Sequence, residues 1–379
     1  MARSTTAVRG RRLMIAKVAL LSPYAFNVIG GVQEQVVAMS RELGRRNVEV
    51  RVFAPNANDH SVVETSATVV REGRLFSLPA NGSTAPLTLS WAASRKVFRD
   101  LTSFQPDVVH IHEPFAPVLA YSSLRHHSFP TVGTFHRSGG GPAYSLTSPL
   151  LRWLGRGLDA AVSVSAEAAQ TLEQGCGLRS RELFNGFEVE RFSEFERSRT
   201  KPPRVLFLGR LDRRKGILDL LEAERMNGSQ QNWTLTVAGD GVLRGEVERR
   251  VADRHNVEVL GVVNDEHKRR LLRSSDVLVA PSTHGESFGL VLLEGLASGT
   301  MVVAADIPGY RLAGGEAVEY CPPGDPAMLH RTIGRALSLA DEERLQAGYV
   351  RAVRWSMASL MDEYLEIYEQ AIHRFKEAK

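Results

Sequence analysis

Short apolar runs recur along this chain, and most are followed by a stretch with helical spacing. This alternation constrains the fold more than any other feature. "MIAKVALLS" (14–22) is apolar and stops at Pro23, as a strand buried on both faces does. Val32 to Leu43 follows with helical spacing, and Gly44 ends it. Further strands are predicted at 48–55, at "PDVVHIHEP" ending in His110 to Pro114, at 129–136 and at 159–166, with a helix over Leu89–Leu101. "RSRELFNGF" (179–187) closes the series. The polar stretch "FERSRTKPP" (195–203) then ends in two prolines and marks a domain boundary. Beyond it the pattern restarts. Strands are predicted at "RVLFLGR", at 233–241, 257–263, 276–282 and 300–306, and helices at "KGILDLLEAERM", 265–274, 287–298 and 325–339.

Strand, helix, strand, repeated in two series, predicts an α/β protein with parallel sheets covered on both faces. The expected domains are an N-terminal Rossmann-like domain over 1–195, with 1–13 as a loose tail, and a second over 196–355. Residues 356–379 form an amphipathic last helix, carrying Tyr364 and Tyr368, that is expected to return to the first domain. The 379 residues, 43% of them apolar, suffice for more than one core. Two such halves facing each other create a cleft, and open α/β sheets bind ligands outside the carboxyl ends of their strands.

Composition removes several classes of function. The formal charge is +4, from 47 basic and 43 acidic side chains, and residues 1–14 alone carry four arginines. No long basic stripe or aromatic platform exists, so a nucleic-acid partner is not expected. Cys176 and Cys321 are the only cysteines, too few for a disulfide framework or a zinc cage, which fits a cytoplasmic protein. No run of eighteen apolar residues is present. The stretch after the arginines contains Lys17 and no clean cleavage site, so it reads as a strand, not a signal peptide.

The unusual loops all fall at predicted strand ends. Gly30 and Gly31 in "NVIGGVQEQ" lie before a helix, where glycine lets a phosphate approach the free amides. The spacing is not that of the dinucleotide fingerprint, and an ordinary βα turn would read the same. In "FLGRLDRRKG", Arg210 and Lys215 are cations suited to a diphosphate, and could neutralise a leaving diphosphate without a metal. Arg213 and Arg214 alongside allow the plainer reading of a solvated basic loop. Gly239, in the turn of "VAGDG", is a further candidate for the nucleotide. "THGESFGLVLLEG" places Glu286 before an apolar helix and Glu294 within it. Ser287, Phe288, Gly289 and Leu290 are expected to present helix-start amides to phosphate. Glu294 amid leucines needs a partner if buried, so it serves either a ribose or a structural pair. His136 ends "PTVGTF" before Gly139–Gly141, and can donate to a sugar hydroxyl or to charge at a reaction centre. Arg137 faces a phosphate or solvent. His110 and His112 share a strand face beside Glu113, but no third ligand is evident, so no metal is assigned.

Taken together, "GGVQ" (30–33), "HIHEP" (110–114), "GTFH" (133–136), "VSVS" (162–165), "NGF" (185–187), "GRLDRRKG" (209–216), "VAGDG" (237–241) and "GESFGLVLLEGLASGT" (285–300) resemble the retaining glycosyltransferases of family 4, with the GT-B fold. Within that family, "LSPYAFNVIGGVQEQV" and "DVLVAPSTHGESFG" are similar to the actinobacterial phosphatidyl-myo-inositol mannosyltransferases. The resemblance implies a hexosyl group, mannosyl for that subfamily, moved from a nucleoside-diphosphate sugar (GDP-mannose or a UDP-sugar) with no dedicated metal. It implies Glu286 near the sugar, Glu294 on the ribose, Arg210, Lys215 and Gly31 at the diphosphate, and His136 at the reaction centre. It further implies a phosphatidylinositol-like lipid acceptor and peripheral binding to the inner face of an anionic membrane through "LSWAASRKVFRDLTSF" (89–104), with Arg95, Lys96 and Arg99. The chain departs from those relatives at "TAPLTLS" (84–90) and "RSGGGPAY" (137–144), where they carry acceptor-gripping residues. A soluble sugar-phosphate or cyclitol acceptor is the second expectation. A non-catalytic sugar-nucleotide or polymer-binding module is the third, and the intact charged residues speak against it.

Overall fold

The computed structural model describes residues 14–25, 31–55, 68–71, 76–80, 83–87, 90–116, 119–136, 142–196, 201–227, 232–286 and 288–379. The chain divides into two compact units, residues 1–186 with 360–379, and residues 187–359.

In the first unit the strands are β1 (Lys17–Leu21), β2 (Glu49–Ala54), β3 (Thr68–Arg71), β4 (Phe76–Ala80), β5 (Ser83–Leu87), β6 (Val108–His112), β7 (Thr131–Phe135), β8 (Ala160–Ser163) and β9 (Arg181–Glu182). Seven of them form a parallel sheet in the order β3-β2-β1-β6-β7-β8-β9. The other two, β4 and β5, pair as an antiparallel hairpin. Its helices are α1 (Gly31–Arg45), α2 (Trp91–Phe104), α3 (Tyr121–His126), α4 (Pro142–Gly155) and α5 (Ala166–Cys176).

The second unit carries β10 (Arg204–Leu208), β11 (Thr234–Ala238), β12 (Val257–Gly261), β13 (Val277–Ala280), β14 (Met301–Ala305) and β15 (Glu319–Cys321). These form a parallel sheet in the order β12-β11-β10-β13-β14-β15. Its helices are α6 (Ile217–Arg225), α7 (Arg244–Val251), α8 (Asp265–Arg273), α9 (Leu290–Ala297), α10 (Pro308–Gly314), α11 (Pro326–Ser338) and α12 (Glu342–Val353). The last helix, α13 (Met357–Glu377), begins in the second unit, and from Leu360 onward it belongs to the first.

The apolar runs become strands because both faces of each sheet are covered. In β10, Val205 and Phe207 join one core cluster while Leu206 joins another, as a period of two requires. Phe187, Val189 and Phe192 pack in the second unit's core, and Phe187 bridges to Ser356. One device recurs at the amino ends of the strands. Asp107, Asp159 and Asp276 each stand one residue before an inner strand. The Asp107 carboxylate accepts from the amides of Ala16 and Lys17 (2.8 and 2.9 Å), Asp159 from Thr131 (2.7 Å), and Asp276 from Arg204 (2.9 Å). Each satisfies an amide that the neighbouring strand would otherwise leave unpaired. Strand order reverses at β1/β6 and at β10/β13, so the carboxyl ends there are the switch points at which such sheets hold ligands.

Candidate functional site

At the β10/β13 switch point two loops meet. The first runs from Gly209 to Gly216 and the second from Pro281 to Gly289. Gly216 has φ +70°, and a Cβ there would lie 2.0 Å from the Pro281 carbonyl oxygen, so only glycine lets the loops pass this closely. The Thr283 amide donates to the Arg214 carbonyl (2.8 Å), and the Lys215 amide to the Asp212 carboxylate (2.9 Å). These contacts place two cations beside one carboxylate. Lys215 Nζ lies 2.8 Å from Glu286 Oε1, and Arg214 donates to the same oxygen and to the Gly285 carbonyl (3.1 Å). The Ser282 hydroxyl donates to Glu286 Oε1 (3.3 Å) and accepts from the buried Tyr310 hydroxyl (2.8 Å). Burial, and then the Glu286 charge, push the Tyr310 hydroxyl above its ordinary range, which keeps it a donor. Arg210 is exposed on the same loop.

Two expectations need correction. The helix expected from Ser287 starts at Leu290, after Gly289 at φ +104°, a conformation no ordinary helix residue adopts. A Cβ at Gly289 would also lie 2.6 Å from Tyr310 Cδ1. The amides that α9 can offer therefore begin at Leu290, the Leu292 amide already donating to the Gly289 carbonyl (3.0 Å), and Glu286 sits on the loop outside the helix. Phe288 packs edge-on against Trp355, with ring centroids 4.9 Å apart. Glu294 is buried in α9 and accepts from Lys268 Nζ (2.8 Å), the partner that its burial demanded. Gly239 has φ +146°, and a Cβ there would lie 1.8 Å from the Gly209 carbonyl oxygen, so backbone packing alone requires this glycine. Gly30, Ser287 and Arg137 lie outside the described residues. Gly31 opens α1, is exposed, and a Cβ on it would meet nothing within 4 Å.

In the first unit, His110 and His112 project from β6, and His136 follows β7. His112 pairs in register with Thr134, which brings His136 to the same strand end. His110 and His112 stack with centroids 4.6 Å apart, and the His136 ring lies nearly parallel to that of His112 (22°) at 5.3 Å, edge to edge. His110 Nδ1 lies 2.7 Å from the Tyr368 hydroxyl and its Nε2 2.7 Å from Thr134 Oγ1. Both His110 nitrogens are thus engaged in hydrogen bonds, which accounts for the burial of this ring. His112 Nδ1 lies 3.0 Å from His136 Nε2. The His136 amide donates to Glu113 Oε1 (2.5 Å), and Glu113 itself sits at φ +49°. Burial lowers the His110 and His136 imidazoles to about 3 and about 4, and His112 well below its ordinary value, so all three are neutral near pH 7.

On α2 the cations Arg95, Lys96 and Arg99 are exposed, and Trp91 is 58% exposed. Phe98 is half-buried and stacks on His126. Among the described residues no helix is long and apolar enough to cross a membrane.

Comparison with known proteins adds a family. Residues 29–191 match the family model described as Glycosyltransferase Family 4, and residues 188–350 the one described as Glycosyl transferases group 1. The phosphatidyl-myo-inositol mannosyltransferase of Mycobacterium leprae is 34% identical over 371 residues, spanning 93% of this chain and 96% of that protein. The protein of the same description from Mycolicibacterium smegmatis is 33% identical over 370 residues, spanning 93% of each. Among solved structures, a glycosyltransferase from Rickettsia africae superposes with a TM-score of 0.72 at 15% identity, over 94% of this chain and 99% of that one. At that identity the likeness concerns the fold.

Proposed function

Because this chain belongs to the family 4 glycosyltransferases of the GT-B fold, and is a retaining hexosyltransferase using a nucleotide-sugar donor, we propose that it moves a mannosyl group from GDP-mannose to a phosphatidylinositol-like lipid headgroup. The observation that carries the donor half is the convergence of Lys215 and Arg214 on Glu286 at the β10/β13 switch point, with Arg210 exposed on the same loop. The 34% identity over 93% of the chain to a phosphatidyl-myo-inositol mannosyltransferase supports the sugar and the acceptor.

In this reading Arg210 and Lys215 bind the diphosphate, with the first-turn amides of α9, Leu290 among them, adding partial positive charge. Gly31 offers the amide end of α1, and among the described residues nothing lies within 4 Å of where its side chain would be. Glu286 accepts from hydroxyls of the transferred sugar, and Glu294, held by Lys268, accepts from the ribose. Phe288, Gly289 and Gly239 shape the loops of the second unit. The bond from the anomeric carbon to the diphosphate oxygen breaks, and Lys215 and Arg210 stabilise the charge that collects there. The acceptor hydroxyl attacks the same face, and its proton passes to the departing phosphate oxygen. Retention follows, without a protein base. His136 donates at the reaction centre. Exposed Trp91 with Arg95, Lys96 and Arg99 suits an anionic bilayer, apolar anchor beside cations.

The test is a screen of GDP-mannose, UDP-glucose and related donors against phosphatidylinositol vesicles, free inositol phosphate and cyclitols, with products read by mass spectrometry. Mannosylated phosphatidylinositol is expected. Transfer only to soluble cyclitols would remove the lipid part of the proposal, and no transfer from any donor would remove the whole.

A further inference from the structure

His112 and His136 share one hydrogen bond, and the direction of that bond decides what His136 can do. A neutral imidazole has one donor and one acceptor nitrogen, so the 3.0 Å contact between His112 Nδ1 and His136 Nε2 has two forms. If His136 Nε2–H donates, His112 must carry no proton on Nδ1 and therefore one on Nε2. His112 Nε2 is fully buried and has no hydrogen-bond partner among the described residues. That form buries an orphaned N–H. If His112 Nδ1–H donates instead, the orphan is a lone pair. Buried N–H groups without a partner are the rarer and costlier defect. Among the described residues no ion pair is made by His112. His110 stacks on the His112 ring, His136 meets its edge through the shared hydrogen bond, and the Glu113 carboxylate is turned to the His136 amide.

We propose that His112 is a positioning residue that fixes His136 in the tautomer protonated at Nδ1, so that His136 meets the substrate as a neutral hydrogen-bond donor and not as a base. The His112 ring is itself immobilised from behind by His110, which Tyr368 and Thr134 hold at both nitrogens. The tyrosines of α13 thus anchor the stack: Tyr368 holds His110 directly, and the Tyr364 ring packs against that of His110 with centroids 5.3 Å apart. The low basicity of His136 from burial agrees with a neutral ring. The functional part rests on the reading of His136 as a reaction-centre residue given above.

The tautomer is read directly from long-range proton–nitrogen spectra of the full chain labelled with 15N-histidine at pH 7. A protonated Nδ1 on His136 is expected, and a protonated Nε2 would overturn the assignment. Two substitutions then test its use. In His112→Asn the amide nitrogen can take the place of Nδ1–H, so the His136 tautomer and kcat should hold within about threefold. In His112→Asp the carboxylate can only accept, so the tautomer should invert and kcat fall about thirtyfold or more, with donor KM little changed. Equal kcat in the two variants, both folded, would overturn the positioning role. His136→Ala separates the readings: unchanged turnover there would sink the reaction-centre role while leaving the tautomer to the spectra.

Discussion

Lys215→Ala tests the donor site most sharply. The side chain is 22% exposed, and its ammonium stands 2.8 Å from a Glu286 carboxylate that is 14% exposed. Removing it does not orphan Glu286, because Arg214 and Ser282 still donate to the same oxygen. The fold should therefore persist, and the loss should appear where charge develops on the leaving diphosphate. Taking one preorganised donor from such a position costs on the order of 100- to 1000-fold, about 3–4 kcal/mol. The assay is steady-state kcat/KM with GDP-mannose, with the urea midpoint measured in parallel to confirm folding. A double-mutant cycle with Glu286→Gln adds the discriminating step. If Lys215 serves only to pair Glu286, the double variant will be no worse than Glu286→Gln alone. If it holds the diphosphate, the double variant will lose a further factor of about tenfold or more. A decrease of less than about threefold in Lys215→Ala, or no added loss in the cycle, would refute the reasoning.

Gly239→Ala should destabilise the protein by about 3 kcal/mol or more, because φ +146° and a Cβ at 1.8 Å from the Gly209 carbonyl cannot both be relieved; a urea midpoint within about 1 kcal/mol of wild type would contradict the geometry. The buried histidines predict acid sensitivity. Their folded basicities lie below the ordinary 6.5, so the unfolded chain binds more protons, and stability rises with pH. Their contribution is complete above about pH 7 and is lost as pH falls through 6.5 towards 4 and 3. The two fully buried rings, His110 and His112, give about 2–3 kcal/mol between pH 7 and 5.5, and urea titrations at the two values that coincide would show that the rings are not buried neutral.

Much of the architecture was legible because periodicity is local. Buried parallel strands such as Val205–Phe207 must be apolar throughout, and helices such as α11 announce themselves with Asp325 as cap and Pro326 in the first turn. The β4–β5 hairpin was missed although Asn81–Gly82 separates its strands, a dipeptide with a strong turn signal. The start of α9 was placed early because Phe288–Leu293 reads as an apolar helical face, whereas the φ of Gly289 is set by Tyr310 packing against it. Candidate residues were visible where glycine, histidine or cations ended an apolar run. Their partners were not. Lys268 reaches Glu294 from another helix, Arg214 reaches Glu286 across two loops, and His112 meets His136 through strand register. Such pairings depend on contacts distant in sequence, which no local pattern encodes.

The most direct measurement is a crystal structure of the chain soaked with GDP-mannose or its non-hydrolysable analogue. The account predicts a diphosphate against Arg210, Lys215 and the first turn of α9, a ribose on Glu294, and a hexose at Glu286. A nucleotide sugar seated elsewhere in the molecule, with Lys215 still paired only to Glu286, would contradict it.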